Sequence, residues 1–370
     1  MTAGKGSRHR RAGTPEGPLT IITGGAGFIG TNLADRLLSQ GAPVLVLDDT
    51  SRPGVERNLA WLRARHPGRL QVEIADVRDG PAVRRAVDRA DRIFHLAAQV
   101  AVTTSLTDPL RDFEINVRGT LNVLEAARAR PRPPPLLFTS TNKVYGALPD
   151  VELERRDRRY VPADPRLAAT GIDEGRPLDF HSPYGCSKGA ADQYVLDYAR
   201  CFAVPAVVFR MSCIYGPHQC GTEDQGWVAH FLMRARERGM LTIYGDGCQV
   251  RDVLYVDDLV DAMLLAMRGI DRLAGQAFNI GGGPGNSLSL LELLDMMAGR
   301  LGLAVRMEQA DWRSGDQRYY VTNSGKFSAA TGWSPTICAA EGVARLHDWL
   351  VSSQPVDVAA SGLTSRAALS

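Results

Sequence analysis

The sequence lacks the signatures of disulfide-framed, zinc-binding and membrane-spanning proteins. Its six cysteines form no CxxC pair and its seven histidines no HExxH spacing, so we expect free thiols in a reducing compartment and no metal site. No apolar run approaches the roughly 20 residues that span a bilayer. The basic N-terminus is not followed by an apolar segment, so the sequence predicts a cytoplasmic protein without a secretory signal.

The sequence also lacks an excess of charge of either sign. Its net charge is +2 over 370 residues, with 23% charged and 44% apolar residues. Such a balance provides no strong field for nucleic acid or an anionic membrane, and we expect neither as a partner.

The first part of the chain alternates short apolar runs with amphipathic ones. The runs predicted as strands are 19–23, 43–48, 70–75, 92–97, 135–140 and 205–211. The predicted helices between them are 28–40, 55–65, 80–89, 110–129 and 183–202. Continuously apolar strands that alternate with helices predict an α/β fold, a Rossmann-type doubly wound parallel sheet covered on both faces.

The alternation of apolar strands and amphipathic helices changes near residue 212. Further helices, predicted at 226–238, 258–268, 288–301 and 339–351, indicate a smaller C-terminal α/β substrate domain over 213–351. We expect the larger domain over 18–212, with some interleaving of the chain between the two. Residues 1–17 are predicted to be a disordered tail and 352–370 a mobile one.

The first predicted strand runs into a glycine-rich loop that opens a helix. Its glycines, Gly24, Gly27 and Gly30, flank Phe28 and Ile29 in a GxxGxxG spacing. Backbone N–H groups at such a helix start can approach a pyrophosphate, although a structural glycine turn is the alternative.

An acidic residue ends the second predicted strand. Asp48 follows Gly30 by eighteen residues. A carboxylate at this place accepts hydrogen bonds from the ribose hydroxyls and repels a 2′-phosphate. This favours NAD over NADP, and the nearby Arg52 leaves that preference open.

Further cofactor contacts are expected at the ends of later strands. Asp76 and Val77 follow the third strand, where adenine binds in such folds; a turn cap is the equal alternative for Asp76. The fourth strand ends at Leu96, Ala97 and Ala98, of which the alanines are small. Either the close approach of a dinucleotide or ordinary tight packing would explain small residues there. The remaining expected cofactor contacts are Gln99, Thr139, Tyr184 and Lys188.

Tyr184 and Lys188 lie four residues apart at a predicted helix start. They share a helix face, and a nearby ammonium lowers the pKa of a phenol from roughly 10. The lysine can also bind the nicotinamide ribose. Thr141 lies at the end of the fifth strand, where its hydroxyl can bridge Tyr184 and a substrate hydroxyl; loop capping is the alternative.

These motifs resemble those of the extended short-chain dehydrogenase/reductase superfamily. The segments are GGAGFIG at 24–30, STNKVYG at 140–146 and SPYGCSKGAADQY at 182–194. The subgroup that they resemble most is the CDP-paratose (CDP-tyvelose) 2-epimerases, over roughly residues 19–350. The resemblance implies a catalytic triad of Thr141, Tyr184 and Lys188, and a homodimer.

The resemblance also discriminates between sister activities. Sugar-nucleotide 4,6-dehydratases of this superfamily carry an Asp-Glu pair after the catalytic Thr, whereas this chain has Asn142 and Lys143. An epimerase needs only reversible oxidation of a sugar hydroxyl, with hydride returned to the opposite face. We therefore expect a tightly bound NAD whose resting form is oxidised.

The substrate is expected to be a nucleotide diphosphate sugar. By the resemblance, Arg251 and Arg313 bind the diphosphate; a salt bridge of Arg251 with Asp252 or Asp257 is the alternative. The other residues expected to contact the substrate are Gln99, Thr141, Asn142, Lys143, Tyr145 and Gln225.

The sequence thus predicts an isomerase, an NAD-dependent epimerase acting at C2 of a CDP-sugar. Two departures from the subgroup, Cys213 and His218, leave the identity of the sugar and the base open. The alternatives are a UDP-sugar 4-epimerase, a nucleotide-sugar dehydrogenase or reductase, and a non-catalytic NAD-binding module.

Overall fold

A computed structural model describes residues 17–313 and 316–353 of the chain. The predicted tails, 1–17 and 352–370, lie outside the described residues except for Gly17, Ser352 and Ser353. Every helix in the described ranges is too short or too polar to span a lipid bilayer.

Fifteen strands are described. In chain order they are β1 (Thr20–Thr23), β2 (Val44–Asp48), β3 (Leu70–Ile74), β4 (Arg92–His95), β5 (Leu136–Thr141), β6 (Leu153–Arg156), β7 (Arg159–Pro162), β8 (Ala206–Met211), β9 (Cys213–Tyr215), β10 (Met240–Tyr244), β11 (Val250–Tyr255), β12 (Ala277–Ile280), β13 (Ser287–Ser289), β14 (Arg306–Ala310) and β15 (Tyr319–Tyr320).

Fourteen α-helices are described with them. They are α1 (Phe28–Ser39), α2 (Val55–Arg65), α3 (Gly80–Val87), α4 (Val102–Thr107), α5 (Pro109–Phe113), α6 (Gly119–Arg128), α7 (Pro165–Thr170), α8 (Ser182–Phe202), α9 (Trp227–Arg236), α10 (Val256–Arg268), α11 (Ile270–Leu273), α12 (Leu290–Leu301), α13 (Gly325–Thr331) and α14 (Ala339–Ser352).

Seven parallel strands form the large sheet, in the order β12-β8-β5-β4-β1-β2-β3. Helices cover both faces, because the strands are apolar on both sides. One face packs against α1, α2 and α10, and the other against α3, α6 and α8. The predicted Rossmann-type doubly wound sheet is confirmed, and the six predicted strands agree with the observed ones to within two residues at each end.

The later part of the chain builds a smaller layer. Strand β11 pairs with β9, β13 and β15, β10 pairs with β14, and α9, α12 and α14 close an apolar core beside them. Strand β12 and helix α10 return to the large sheet. The boundary at residue 212 stays a prediction.

The predicted helix 110–129 is divided in the structure. After α5, a π-helical segment, Glu114–Arg118, precedes α6. Within it, the Asn116 side chain bonds to the backbone of Gln99 and to neighbouring side chains. Periodicity does not reveal this wider turn, because one extra residue hardly disturbs the apolar pattern.

A buried ion pair attaches α8 to the large sheet. The Arg210 guanidinium on β8 donates two hydrogen bonds of 2.9 Å to the Asp192 carboxylate on α8. Their side chains are 6% and 0% exposed. Helix α8 carries Tyr184 and Lys188, so this pair fixes the helix that presents both.

We expect Arg210→Met to lower the free energy of unfolding by about 3–5 kcal/mol, because the Asp192 carboxylate would remain buried without a charged partner. Urea denaturation measures this. Arg36→Met is the control: it breaks the exposed Arg36–Asp261 pair, which should cost no more than about 1 kcal/mol. Equal losses in both variants would contradict the expectation.

Candidate active site

A cleft of about 830 Å³ runs along the carboxyl edge of the large sheet and faces the smaller layer. Most of the predicted site residues line it. They are Gly24, Gly27, Phe28, Ile29, Gly30, Asp48, Asp76, Val77, Leu96, Ala97, Ala98, Gln99, Thr139, Thr141, Asn142, Lys143, Tyr184, Lys188, Gln225, Arg251 and Arg313. Parallel strands bring these distant residues to one edge.

The glycine-rich loop is fixed in a tight turn at the start of α1. Gly24 has a left-handed φ of 69° and its N–H donates to Leu47, while a Cβ on Gly30 would lie 2.5 Å from the Gly24 carbonyl oxygen. Helix α1 begins after Gly27 without a capping side chain and without an acidic residue in its first turn. These N–H groups and this helix dipole fit an anionic diphosphate at this end of the cleft.

Asp48 connects the end of β2 to this loop. One carboxylate oxygen accepts the Ala26 N–H at 2.9 Å and the other the Thr50 N–H at 2.9 Å. Burial raises the pKa of Asp48, and the two backbone bonds act in the opposite direction. Each oxygen keeps a lone pair that could accept a hydrogen bond from a hydroxyl group in the cleft.

Small residues at the end of β4 allow close approach of the backbone. A Cβ on Gly24 would lie 2.7 Å from the Ala97 nitrogen, and that nitrogen donates to Thr23. Asp76 accepts from the backbone and guanidinium of Arg78, so the turn-cap role expected as an alternative is present, and this residue also lines the cleft. The residues of this end fit a dinucleotide such as NAD.

Thr141 and Tyr184 meet at the middle of the cleft. Thr141 is the last residue of β5, and its hydroxyl is close enough to the Tyr184 phenol to lower the pKa of that phenol. The Tyr184 N–H donates to Ser105 at 3.1 Å, which holds the first turn of α8. Both side chains are less than 9% exposed. A phenol and a hydroxyl placed in this way can bind the same sugar hydroxyl.

The pKa of Tyr184 is raised, whereas the spacing of Tyr184 and Lys188 predicted that it would be lowered. Burial raises the pKa of Tyr184 to about 12, and the groups that oppose the rise are Thr141 and Arg52. The Lys188 ammonium donates to the Thr139 carbonyl at 2.6 Å and lies over the Phe138 ring. The groups that shift the pKa of Tyr184 do not include Lys188.

Lys188 itself is desolvated. Burial lowers its pKa to about 7, and the carboxylates of Asp192 and Asp112 oppose that shift. Sequence spacing placed the lysine on the face of Tyr184, but the orientation of its amine depends on the carbonyl at the end of β5.

The two arginines expected at the substrate end lie in the cleft and have protein partners. Arg251 is buried and donates to the Val250 and Gln317 carbonyls, at 2.8 and 2.6 Å. Its carboxylate neighbour is Asp316, at 4.0 Å, and not the expected Asp252 or Asp257.

Arg313 lies 3.7 Å over the Tyr244 ring and pairs with Glu223 and Asp224. Both carboxylates belong to the segment 222–226, which lines one wall of the cleft. Guanidinium groups of this kind suit bidentate contact with phosphate.

Lys143 lies beside Arg251 in the cleft. Burial and the positive charge of Arg251 lower the pKa of Lys143 to about 8. Neighbouring Asn142 accepts from the Thr141 hydroxyl at 3.3 Å. No carboxylate therefore occupies either position after Thr141.

Tyr145 does not line the cleft, contrary to the prediction. A 3₁₀ turn, Asn142–Tyr145, carries it into the core, where it is 0% exposed. Its hydroxyl donates to Asn279 at 2.7 Å and accepts from Arg210 at 3.2 Å. These bonds connect Tyr145 to β12 and β8 in the core.

Sequence reasoning missed the buried polar residues that pack against the first turn of α8. Ser105, Asp112, Asn116 and Ser187 are all buried and hydrogen-bonded near the first turn of α8. The signal available was the pair Asp112 and Asn116, four residues apart in a predicted amphipathic helix.

Comparison with known proteins gives consistent results. The family model described as "NAD dependent epimerase/dehydratase family" matches residues 20–281. A CDP-paratose 2-epimerase from Salmonella typhi is 45% identical over 339 residues, covering 90% of this chain and 99% of that protein. A dTDP-glucose 4,6-dehydratase from Streptomyces griseus is 32% identical over 346 residues, covering 89% and 93%.

A solved structure is similar over the same range. The UDP-glucose 4-epimerase of Thermus thermophilus, in complex with NAD, superposes with a TM-score of 0.76 at 31% identity. The match covers 91% of this chain and 100% of that one.

We expect Gly30→Ala to weaken NAD binding by at least about tenfold, because its methyl group would force the Gly24 carbonyl out of the loop. Calorimetric titration of NAD measures the change. The matched control is Gly299→Ala, since a Cβ at Gly299 on α12 meets nothing within 4 Å. Unchanged affinity in Gly30→Ala would contradict the placement of the cofactor.

Proposed function

This chain belongs to the NAD dependent epimerase/dehydratase family, and on that premise we propose that it is an NAD-dependent nucleotide-sugar epimerase that inverts C2 of a CDP-sugar. The observation that carries the proposal is the 45% identity to a CDP-paratose 2-epimerase over 99% of that relative. The enzyme is thus an isomerase.

The residues after Thr141 support epimerisation over dehydration. Elimination of water needs an acid and a base beside the oxidised carbon. Asn142 and Lys143 supply no carboxylate, and Asn142 is occupied by the Thr141 hydroxyl. Epimerisation needs only the reversible oxidation of one carbinol carbon: Tyr184 and Thr141 can handle the hydroxyl proton, while hydride passes to a bound NAD and returns to the opposite face.

In this mechanism Tyr184 accepts the proton of the sugar hydroxyl and later returns it. Thr141 and the positive charge of Arg52 favour its phenolate, against the effect of burial. Thr141 also orients the hydroxyl. When bound, NAD supplies reversible removal of hydride from the sugar carbon.

The other residues bind and orient. The α1 N-terminus and Asp48 would hold the dinucleotide, and Arg251 and Arg313 the diphosphate of the substrate. Because the cofactor is regenerated in each cycle, it would stay tightly bound in its oxidised form. Lys143 and Gln99 lie where they could contact the sugar.

The same proposal includes a homodimer in the cytoplasm. The six free cysteines suit a reducing compartment. Large apolar side chains are exposed along α4, α5 and α8, which pack together. They are Leu106, Leu110, Phe113, Tyr194 and Phe202, between 40% and 69% exposed. A second copy related by a twofold axis would cover such a face.

The function is tested by incubating the enzyme with CDP-paratose, CDP-glucose and UDP-glucose and following the C2 and C4 protons by NMR. We expect inversion at C2 of a CDP-sugar, without accumulation of NADH. Inversion at C4 of UDP-glucose alone would favour the 4-epimerase alternative, and stoichiometric reduction of NAD would favour a dehydrogenase.

Tyr184→Phe is the control for that assay. It should abolish turnover and retain bound NAD, because only the proton-transferring hydroxyl is removed. Turnover that survives this substitution would exclude Tyr184 as the base, and a protein inactive on all three substrates would favour a non-catalytic module.

Leu110→Arg should convert the dimer to monomers, because it places a charge in the centre of the exposed apolar face. Analytical ultracentrifugation measures the mass. The control is Ile74→Arg at the end of β3, an edge strand of the large sheet. The native side chain there is 57% exposed and does not belong to the apolar face on α4, α5 and α8. A monomeric unmodified protein, or equal dissociation by both variants, would contradict the proposed dimer.

A further inference from the structure

A buried carboxylate lies behind the catalytic helix and takes no part in the mechanism above. Asp112, on α5, is 1% exposed and contacts α8 through side chains. Burying an ionisable carboxylate is costly unless hydrogen bonds compensate. The compensation here comes from residues adjacent to those that perform the chemistry.

The hydrogen bonds of Asp112 lead to two parts of the site. The Ser187 hydroxyl donates to one carboxylate oxygen, and the Asn116 amide donates to the other at 3.2 Å. The Asn116 amide nitrogen also lies 3.0 Å from the Ser187 hydroxyl oxygen, so its two hydrogens are shared among three acceptors. The three side chains therefore form a closed network.

The first branch reaches the catalytic helix. Ser187 directly precedes Lys188 and follows Tyr184 by three residues, and its hydroxyl lies 3.2 Å from the Tyr184 carbonyl oxygen. Fixing Ser187 thus fixes the turn of α8 that presents both side chains to the cleft.

The second branch reaches the cofactor edge of the cleft. The Asn116 amide oxygen accepts the Gln99 N–H at 2.9 Å, and its amide nitrogen donates to the Gln99 carbonyl at 3.2 Å. Gln99 follows β4 and lines the cleft. The π-helical segment turns Asn116 toward both partners, a use of wider turns that is frequent at functional sites.

Asp112 also acts on the charges of the site. Its carboxylate favours the ammonium form of Lys188 and disfavours the phenolate form of Tyr184. The other charged groups that influence Lys188 and Tyr184 are Asp192 and Arg52 respectively. Lys188 in turn stabilises the ionised form of Asp112.

We propose that Asp112 is a positioning residue, which holds the first turn of α8 through Ser187 and the Gln99 backbone through Asn116, so that Tyr184 and Lys188 face the cofactor edge of the cleft together. A carboxylate is suited to this task because it accepts from a hydroxyl and an amide at once. Its kinetic consequence rests on the proposed function, whereas its effect on Lys188 does not.

The charge of Asp112 can be tested without substrate. The chain has four lysines, Lys5, Lys143, Lys188 and Lys326, so ¹³Cε-lysine labelling gives a spectrum with few signals. The Lys188 signal, assigned as the one missing in Lys188→Arg, should titrate with a midpoint of about 7. Asp112→Asn should move that midpoint to lower pH, because a negative charge that favours the ammonium is removed.

Two variants serve as controls in that titration. Asp258→Asn replaces another buried, hydrogen-bonded carboxylate, which lies on α10, a helix of the opposite face of the sheet. It should leave the Lys188 midpoint in place, and the Lys326 signal serves as an internal reference. Ser187→Ala keeps the carboxylate and should shift the Lys188 midpoint less than Asp112→Asn does.

Kinetics test the positioning. Asp112→Asn and Ser187→Ala should each lower kcat about tenfold to a hundredfold with little change in KM, because the reacting groups are misaligned while the substrate contacts remain. Thermal unfolding establishes that both variants are folded.

An unmoved Lys188 midpoint in Asp112→Asn, or an equal shift in Asp258→Asn, would overturn the proposal, as would an unchanged kcat in both Asp112→Asn and Ser187→Ala. Because the titration needs no substrate, failure of the proposed epimerase activity would leave it readable.

Discussion

Hydrogen bonding between parallel strands is the constraint on which the site depends. It forces β1, β2, β4, β5 and β8 to end at one edge of the sheet, and each strand delivers its following residues to the same cleft. The glycine-rich loop, Asp48 and Thr141 are separated by scores of residues in the chain. Their proximity follows from pairing register alone, before any side chain of the cleft contributes.

Desolvation is the second physical effect that shapes the site. Burial moves the pKa of Tyr184 up and the pKa values of Lys143 and Lys188 down, so it shifts each group toward its neutral form relative to the same group in water. Nearby groups oppose two of these shifts: Thr141 favours the phenolate form of Tyr184, and Asp112 favours the ammonium form of Lys188. The pKa values of these three side chains therefore depend on their surroundings as much as on their residue type.

The opposite wall of the cleft is built from the later part of the chain, which also packs against the large sheet. Strand β12 joins the large sheet and helix α10 covers one of its faces, whereas the segment 222–226 bonds to Arg52 and to Arg313. Arg52 donates to Gln225 across the cleft, and Arg313 pairs with Glu223 from the other side. The cofactor end and the substrate end of the cleft are thereby joined through one short segment.

The sequence by itself determined the strands and helices of the large sheet, the glycine-rich turn, and the shared helix of Tyr184 and Lys188, because these depend on local patterns of apolar runs and residue spacing. It also placed Asp48 and Thr141 at strand ends. The tertiary structure alone decided where side chains point. A 3₁₀ turn carries Tyr145 into the core, the Lys188 ammonium donates to the Thr139 carbonyl, and Asp112 is bonded to Asn116 of the π-helical turn and to Ser187 of α8. These outcomes depend on contacts between residues far apart in the chain, whose geometry no local spacing encodes.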